Sequence, residues 1–299
     1  MNLFWNAGER RLRVVWRLAL QAALMVALAA IPILAIAEPL TALHRRGLFL
    51  AGYDHDAYDR VVNMIVGPFL TAAVIASVIV ARRRLDHRPV ADLGVRVDRR
   101  WWTGLALGLA VGTSVMTAVF VVEYAFGWVV PAGTLVQNAA APLGLAVAFS
   151  AVKALCVGHY EEFVSRGYHL DNIGVLLSSL IFALLHVFND NASALSTFGL
   201  FMNALFFAAA VKVTGRLSTA IGAHVAWNLV QGAVLGFPVS GDKEGASLIG
   251  IVQRGPAFLT GGAFGPEAGL VGVAASLLGI ALLLVWGRWR QRYEPPTTS

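Results

Sequence analysis

The apolar residues of this chain gather in blocks of roughly twenty, broken by short basic or glycine-rich stretches. About twenty apolar residues in a helix cross the hydrocarbon core of a bilayer. A helix also keeps its backbone hydrogen bonds within its own segment, as lipid requires. The blocks fall near residues 18–37, 61–81, 102–122, 143–165, 174–189, 197–213, 217–235 and 269–287. The expected fold is therefore all-α: a polytopic membrane bundle of about eight transmembrane helices. It is read as a single membrane-embedded domain over residues 1–299. Only 13% of the residues are charged, against about 25% in soluble domains.

The net charge of +6 would suggest nucleic acid in a soluble protein. Here the arginines sit between apolar blocks, as membrane topology demands, and no aromatic-basic RNA motif accompanies them. The expected partner is the lipid bilayer, not nucleic acid. With the N-terminus inside, seventeen of the 23 Lys and Arg residues fall in inside segments and five in outside loops. That asymmetry predicts a multi-pass protein of the cell membrane with both termini cytoplasmic.

Arg10, Arg11, Arg13 and Arg17 precede an apolar run that closes on Ala35-Ile36-Ala37, in the manner of a signal peptide. The run is longer than an ordinary signal core, so it is read as an uncleaved first span. The first 17 residues suit either an interfacial helix or a basic tail. Gly104, Gly108 and Gly112 recur on one helical face and predict close helix packing within the chain. Residues 236–268 read as an exterior or partly re-entrant loop in which Glu267 is an ordinary loop carboxylate. Cys156, the one cysteine, excludes an intrachain disulfide and reads as a small hydrophobe.

Three polar clusters interrupt the later apolar blocks: Glu161, Glu162 and Arg166; then Phe182 and His186; then His224 and Asn228. Ionisable groups inside a span are costly and mark functional sites. Carboxylates, imidazoles, a guanidinium and an amide are the parts of a water-activating hydrolytic site. Glu162 and Arg166 stand four residues apart and share a face. Glu161 points about 100° away, at ~3.6 residues per turn. Glu161 is thus the expected base for water, with Glu162 and Arg166 as a buried brace. His186, His224 and Asn228 can supply donors to a tetrahedral oxyanion. Two histidines and a carboxylate can instead hold a divalent metal such as zinc, although no H-E-x-x-H pairing is present. Helix rises place all three clusters at one depth, in the cytoplasmic half of the membrane. His159 and His169 flank the first cluster without joining it, and Lys153 lies about two turns from Glu161, able to pair with a carboxylate.

The runs EEFVSRGYHL, FALLH and HVAWN, in this order, resemble the motifs E-E-x-x-x-R, F-x-x-x-H and H-x-x-x-N of the CPBP family. These are the CAAX protease and bacteriocin-processing (Abi) intramembrane endopeptidases. The resemblance spans roughly residues 143–235, and the approach TGRLSTAIGAHVAWNLV carries it further. It implies a membrane-embedded active site and cleavage of a lipidated (CAAX-like) or membrane-inserted protein. It assigns catalysis to Glu161, His186, His224 and Asn228, with support from Glu162 and Arg166. The family is grouped with metalloproteases, while a metal-free glutamate mechanism has also been argued for it. One departure is Ser165, where relatives often carry a large apolar residue; it bears on local packing. Two other functions compete: a non-catalytic scaffold or bacteriocin-immunity protein, and a proton-coupled carrier. Against the second stands the lack of an inverted repeat.

Overall fold

The computed structural model describes residues 3–6, 8–53, 55–137, 143–243 and 245–293. A short hairpin, β1 (Trp5–Asn6) and β2 (Arg11–Leu12), leads into α1 (Val14–Pro32). Among its described residues the N-terminal segment thus pairs as a short hairpin rather than forming an interfacial helix or a bare tail. A π-helical turn over Ile33–Ala37 joins α1 to α2 (Glu38–Arg45) directly after Pro32. Then come α3 (His55–Arg84), α4 (Arg99–Ala125), β3 (Val129–Gln137) and α5 (Leu143–Glu162). The chain continues through α6 (Leu170–Leu184), α7 (Ala194–Thr214), α8 (Leu217–Leu229), β4 (Ala246–Gln253), α9 (Ala257–Thr260) and α10 (Leu270–Tyr293).

The eight apolar blocks correspond to α1, α3, α4, α5, α6, α7, α8 and α10. Among the described residues, six helical stretches are long and apolar enough to cross a membrane, which makes this a multi-pass membrane protein. One of the six is the continuous stretch Leu143–Leu184, which contains both α5 and α6. It bends at Gly174, whose φ of 79° and ψ of 177° leave the helical region. That backbone suits glycine, which has no Cβ to clash. α8 falls outside the six and is the most enclosed helix, with eleven of its thirteen residues buried.

A polar network secures the elbow from below. Arg82 binds Asp171 at 2.6 Å, Arg88 binds the same carboxylate at 2.8 Å, and Asn172 donates to Asp86 at 3.2 Å. Arg17 of α1 closes the network on Asp86. The elbow sets α5 and α6 side by side. Glu161 lies thirteen residues before Gly174 and His186 twelve after it, which at ~1.5 Å per residue puts them at similar heights.

α4 packs most extensively against α8. A Cβ added at Gly104, Gly108 or Gly112 would lie closer than 3.0 Å to Thr219, Ala223 or Ala226. The glycine stripe therefore seats α8, as expected, and Gly222 faces back onto the backbone of Leu105 and Leu109. On the face away from the elbow, β3 and β4 form an antiparallel pair from Val129↔Gln253 onward. The sequence reading contained neither strand. Pro131 and the apolar SLIGIV run concealed a two-stranded ribbon whose ends are more than a hundred residues apart.

Gly108→Leu is expected to force α4 off α8 and to lower the thermal midpoint of the detergent-solubilised protein, because overpacking costs about 1–3 kcal/mol. Gly144→Leu, at a position with open space around it, should leave the midpoint near that of the wild type. A scanning fluorimetry comparison of the two variants checks this.

Candidate active site

The brace comes first because it is the most buried part. Glu162 and His224 are 0% and 5% exposed, and Arg166 is 4% exposed. Arg166 Nη1 donates to Glu162 Oε1 at 3.0 Å, and His224 Nδ1 meets the same oxygen at 2.8 Å. Arg166 also donates to the carbonyl of Ala204 at 3.3 Å. One carboxylate oxygen thus ties α5 to α8, and its arginine partner ties both to α7. The guanidinium lies 4.2 Å from the ring centroid of Phe182 and 5.2 Å from that of Phe207. Such faces attract a cation in a dry site, so Phe182 covers the brace. Arg166 itself lies in a π-helical turn over Phe163–His169 that follows the two glutamates. Turns of this kind often mark functional sites.

Glu161 points the other way. Its carboxylate is 18% exposed and faces a cavity of about 420 Å³. His186 Nε2 stands 3.9 Å from Oε1, and His224 Nε2 stands 3.9 Å from Oε2. Those separations are too long for direct hydrogen bonds and fit a bridging water. The other ring nitrogens fix the imidazoles. His186 Nδ1 lies 2.7 Å from the carbonyl of Phe182, which can only accept. His224 Nδ1 lies against Glu162. Both Nδ1 atoms therefore carry the hydrogen, and both Nε2 atoms turn toward Glu161. Phe207 stacks on His224 with centroids 4.7 Å apart, fixing the ring plane.

Glu161, His186, His224 and Asn228 all line this cavity. Glu162 and Arg166 sit behind it, in the brace. His159 turns to the carbonyl of Leu155 at 2.7 Å, within its own helix. Ser165, the departure from the family pattern, is buried and lines the cavity.

Two features escaped the sequence, and a third, the pairing of Lys153 with a carboxylate, was expected without its partner. Asn203 of α7 lines the cavity with its Oδ1 buried and without a hydrogen-bond partner. Its only signal was an amide inside an apolar run. Lys153 binds Asp242 at 2.5 Å, and both line the cavity. Glu267 is not an ordinary loop carboxylate. It is 2% exposed and accepts from Gln231 at 2.6 Å and from the Ser240 backbone at 3.1 Å. The fold returns residues 236–268 to the cavity, where Ser240 and Glu267 form part of its wall. Burial raises the Glu267 carboxyl to about 7, offset in part by its hydrogen bonds.

Residues 142–230 match the family described as type II CAAX prenyl endopeptidase Rce1-like. The match covers under a third of the chain and supports an intramembrane protease of the CPBP type in this stretch. No curated protein and no solved structure matches the chain. The Rce1-like domain contains α5, α6, α7 and all of α8, and hence every element that contributes to the brace. Among its described residues, and in the rest of the described chain, no three His, Cys, Asp or Glu side chains are placed to hold a metal ion. The residues as placed therefore do not fit a resident zinc.

Two outcomes follow. Arg166→Met leaves Glu162 buried without its cation, and loss of one partner of a buried pair costs about 3–5 kcal/mol. The variant should show a lowered thermal midpoint and poor recovery from detergent extraction. Glu267 has a native pKa above its unfolded one, so the native state holds the extra proton between about 4.5 and 7. Its contribution to stability is full below that window and is lost as the pH rises through it. The midpoint should fall from roughly pH 5 to 8 in the wild type and less steeply in Glu267→Gln.

Proposed function

We propose that this chain is an intramembrane endopeptidase in which Glu161 activates water to hydrolyse a peptide bond of a lipidated or membrane-inserted protein. The observation that carries the reading is the division between the two adjacent glutamates. Glu162 is sealed behind the cavity by Arg166 and His224, while Glu161 faces the cavity between two imidazoles. A scaffold would have no use for a carboxylate so placed, since an ionisable group within a span is costly.

In this reading a water between Glu161 and the imidazoles donates one hydrogen to the carboxylate and the other to an Nε2 lone pair. As the oxygen attacks the scissile carbonyl carbon, Glu161 takes the first proton. The tetrahedral oxyanion accepts a hydrogen bond from the Asn228 amide, the role that preorganised donors play in acyl transfer. Collapse breaks the C–N bond, and the proton held by Glu161 passes to the leaving amine. Glu162 keeps His224 in one tautomer and one orientation throughout. The bundle supplies the dry surroundings in which these dipoles act strongly.

The test is cleavage of lipidated and transmembrane peptides by the purified protein beside Glu161→Gln and His224→Ala. Loss of the general base should lower the rate by about 10²- to 10⁴-fold while Glu161→Gln keeps its fold. A zinc chelator should leave the wild-type rate unchanged. Full activity in Glu161→Gln would refute the assignment, and loss of activity on chelation would refute the metal-free route.

A further inference from the structure

The cavity is displaced along the helices that line it, always toward the same end of the bundle. On α6 its lining begins at Phe182, twelve residues after the first of the helix, and on α8 at His224, seven after the first. On α7, which runs the other way, it stops at Phe207, seven residues before the last. Seven residues are about two turns, or ~10 Å. Below the lining the bundle is shut: Tyr168, Leu217 and Ile221 are at most 1% exposed, and the Glu162–Arg166 brace adds to this floor. At the opposite end the wall is made of loop residues, Asn189, Val239, Ser240 and Asp242. The Asp242 side chain lines the cavity and is still 65% exposed, so the cavity reaches the surface there.

The closed end carries the positive charge. There Arg17 meets Asp86, Arg82 and Arg88 meet Asp171, and Arg216 meets Asp98. The Leu217 N–H donates to the Gly94 carbonyl, which brings the turn between α7 and α8 to the same level. The last turns of α10 end there too, with Gly287 beside Val213. Leaving Arg166 in the brace, sixteen of the 23 Lys and Arg residues belong to the segments of this end and five to the loops of the other.

We propose that the cavity opens on the non-cytoplasmic face of the membrane, and that its substrate is a membrane-anchored polypeptide whose cleavable segment lies on that exported side. Lys and Arg at span ends hold their segments in the cytoplasm. That rule assigns the closed, arginine-bearing end to the cytoplasm and the mouth to the exterior. The substrate class rests on the reading of Glu161 as the base, whereas the face does not. A cytoplasmic tail would have to pass the brace, the most buried part of the site, to reach Glu161. An exported segment enters past Asn189, Ser240 and Asp242 and meets no such floor.

The alternative is the reverse insertion, with the mouth toward the cytoplasm. Cys156 is the one cysteine, so a Cys156→Ala chain accepts single thiol reporters. Val157→Cys places one in the cavity wall, and Val97→Cys places one at a 69% exposed position of the closed end. The experiment is labelling of each full-length variant by a charged, membrane-impermeant thiosulfonate, on intact spheroplasts and after permeabilisation. Val157→Cys should react in intact spheroplasts, and Val97→Cys only after permeabilisation. Reaction at Val157→Cys only after permeabilisation overturns the proposal, as does reaction at Val97→Cys in intact spheroplasts. Should Val157→Cys fail to fold, Lys243→Cys, on the exposed turn beside Asp242, reports the same face.

A second arm co-expresses wild type or Glu161→Gln with two single-span reporter proteins, one carrying its cleavable segment on the exported side and the other on the cytoplasmic side. Only the first should be cut, and only by the wild type. Cutting of the cytoplasmic segment by the wild type overturns the proposal. Labelling of the cavity from outside, with cleavage that survives in Glu161→Gln, overturns the role of Glu161 and leaves the exterior mouth standing.

Discussion

One oxygen of Glu162 carries two bonds on which the rest of the site depends. It accepts from Arg166 on its own helix and meets His224 from α8. Taking an ion pair out of water is costly, and only good geometry with further hydrogen bonds offsets that cost. The structure supplies these on the cation's side, where the Ala204 carbonyl takes another guanidinium hydrogen and the rings of Phe182 and Phe207 cover the charge, while Glu162 Oε2 is buried without a hydrogen-bond partner among the described residues. Because His224 is fixed through Nδ1, its Nε2 has one direction left, toward Glu161. A brace and a reactive carboxylate thus come from adjacent residues on one helix, separated by the turn of the backbone.

The brace closes only because the helices approach closely. In lipid, association between helices relies on packing and interhelical hydrogen bonds, and small residues allow it. The glycines of α4 let α8 sit deep enough to meet α5, and Gly158 of α5 similarly accommodates Val225. The Gly174 elbow brings His186 back beside Glu161, and the Arg82–Asp171 pair holds that elbow. Substitutions far from the cavity are therefore linked to its geometry through backbone contacts that leave no space for a side chain.

Much of this was legible in the sequence. Spans are legible because a bilayer imposes length and hydrophobicity on each helix separately. The Glu162–Arg166 pairing is legible because a four-residue spacing is local. What escaped depends on contacts between distant segments. β3 and β4 pair across the whole Rce1-like domain, and Glu267 is buried by Gln231 and Ser240, neither of which is its sequence neighbour. Lys153 showed itself as a charge in a span, but its partner at Asp242 is set by how the 236–268 segment folds back. The π-helical turns at Phe163–His169 and Val230–Val234 have no local signature, since one extra residue per turn leaves the composition unchanged.

The most direct test of the division between the glutamates is the thermal midpoint of Glu161→Gln against that of Glu162→Gln, measured in one detergent at one pH. Each substitution removes one negative charge from adjacent positions and alters volume almost not at all. The account predicts a midpoint close to wild type for Glu161→Gln and a clearly lowered one for Glu162→Gln, which strands Arg166 and releases His224. Equal shifts in the two variants, or a larger shift in Glu161→Gln, would contradict it.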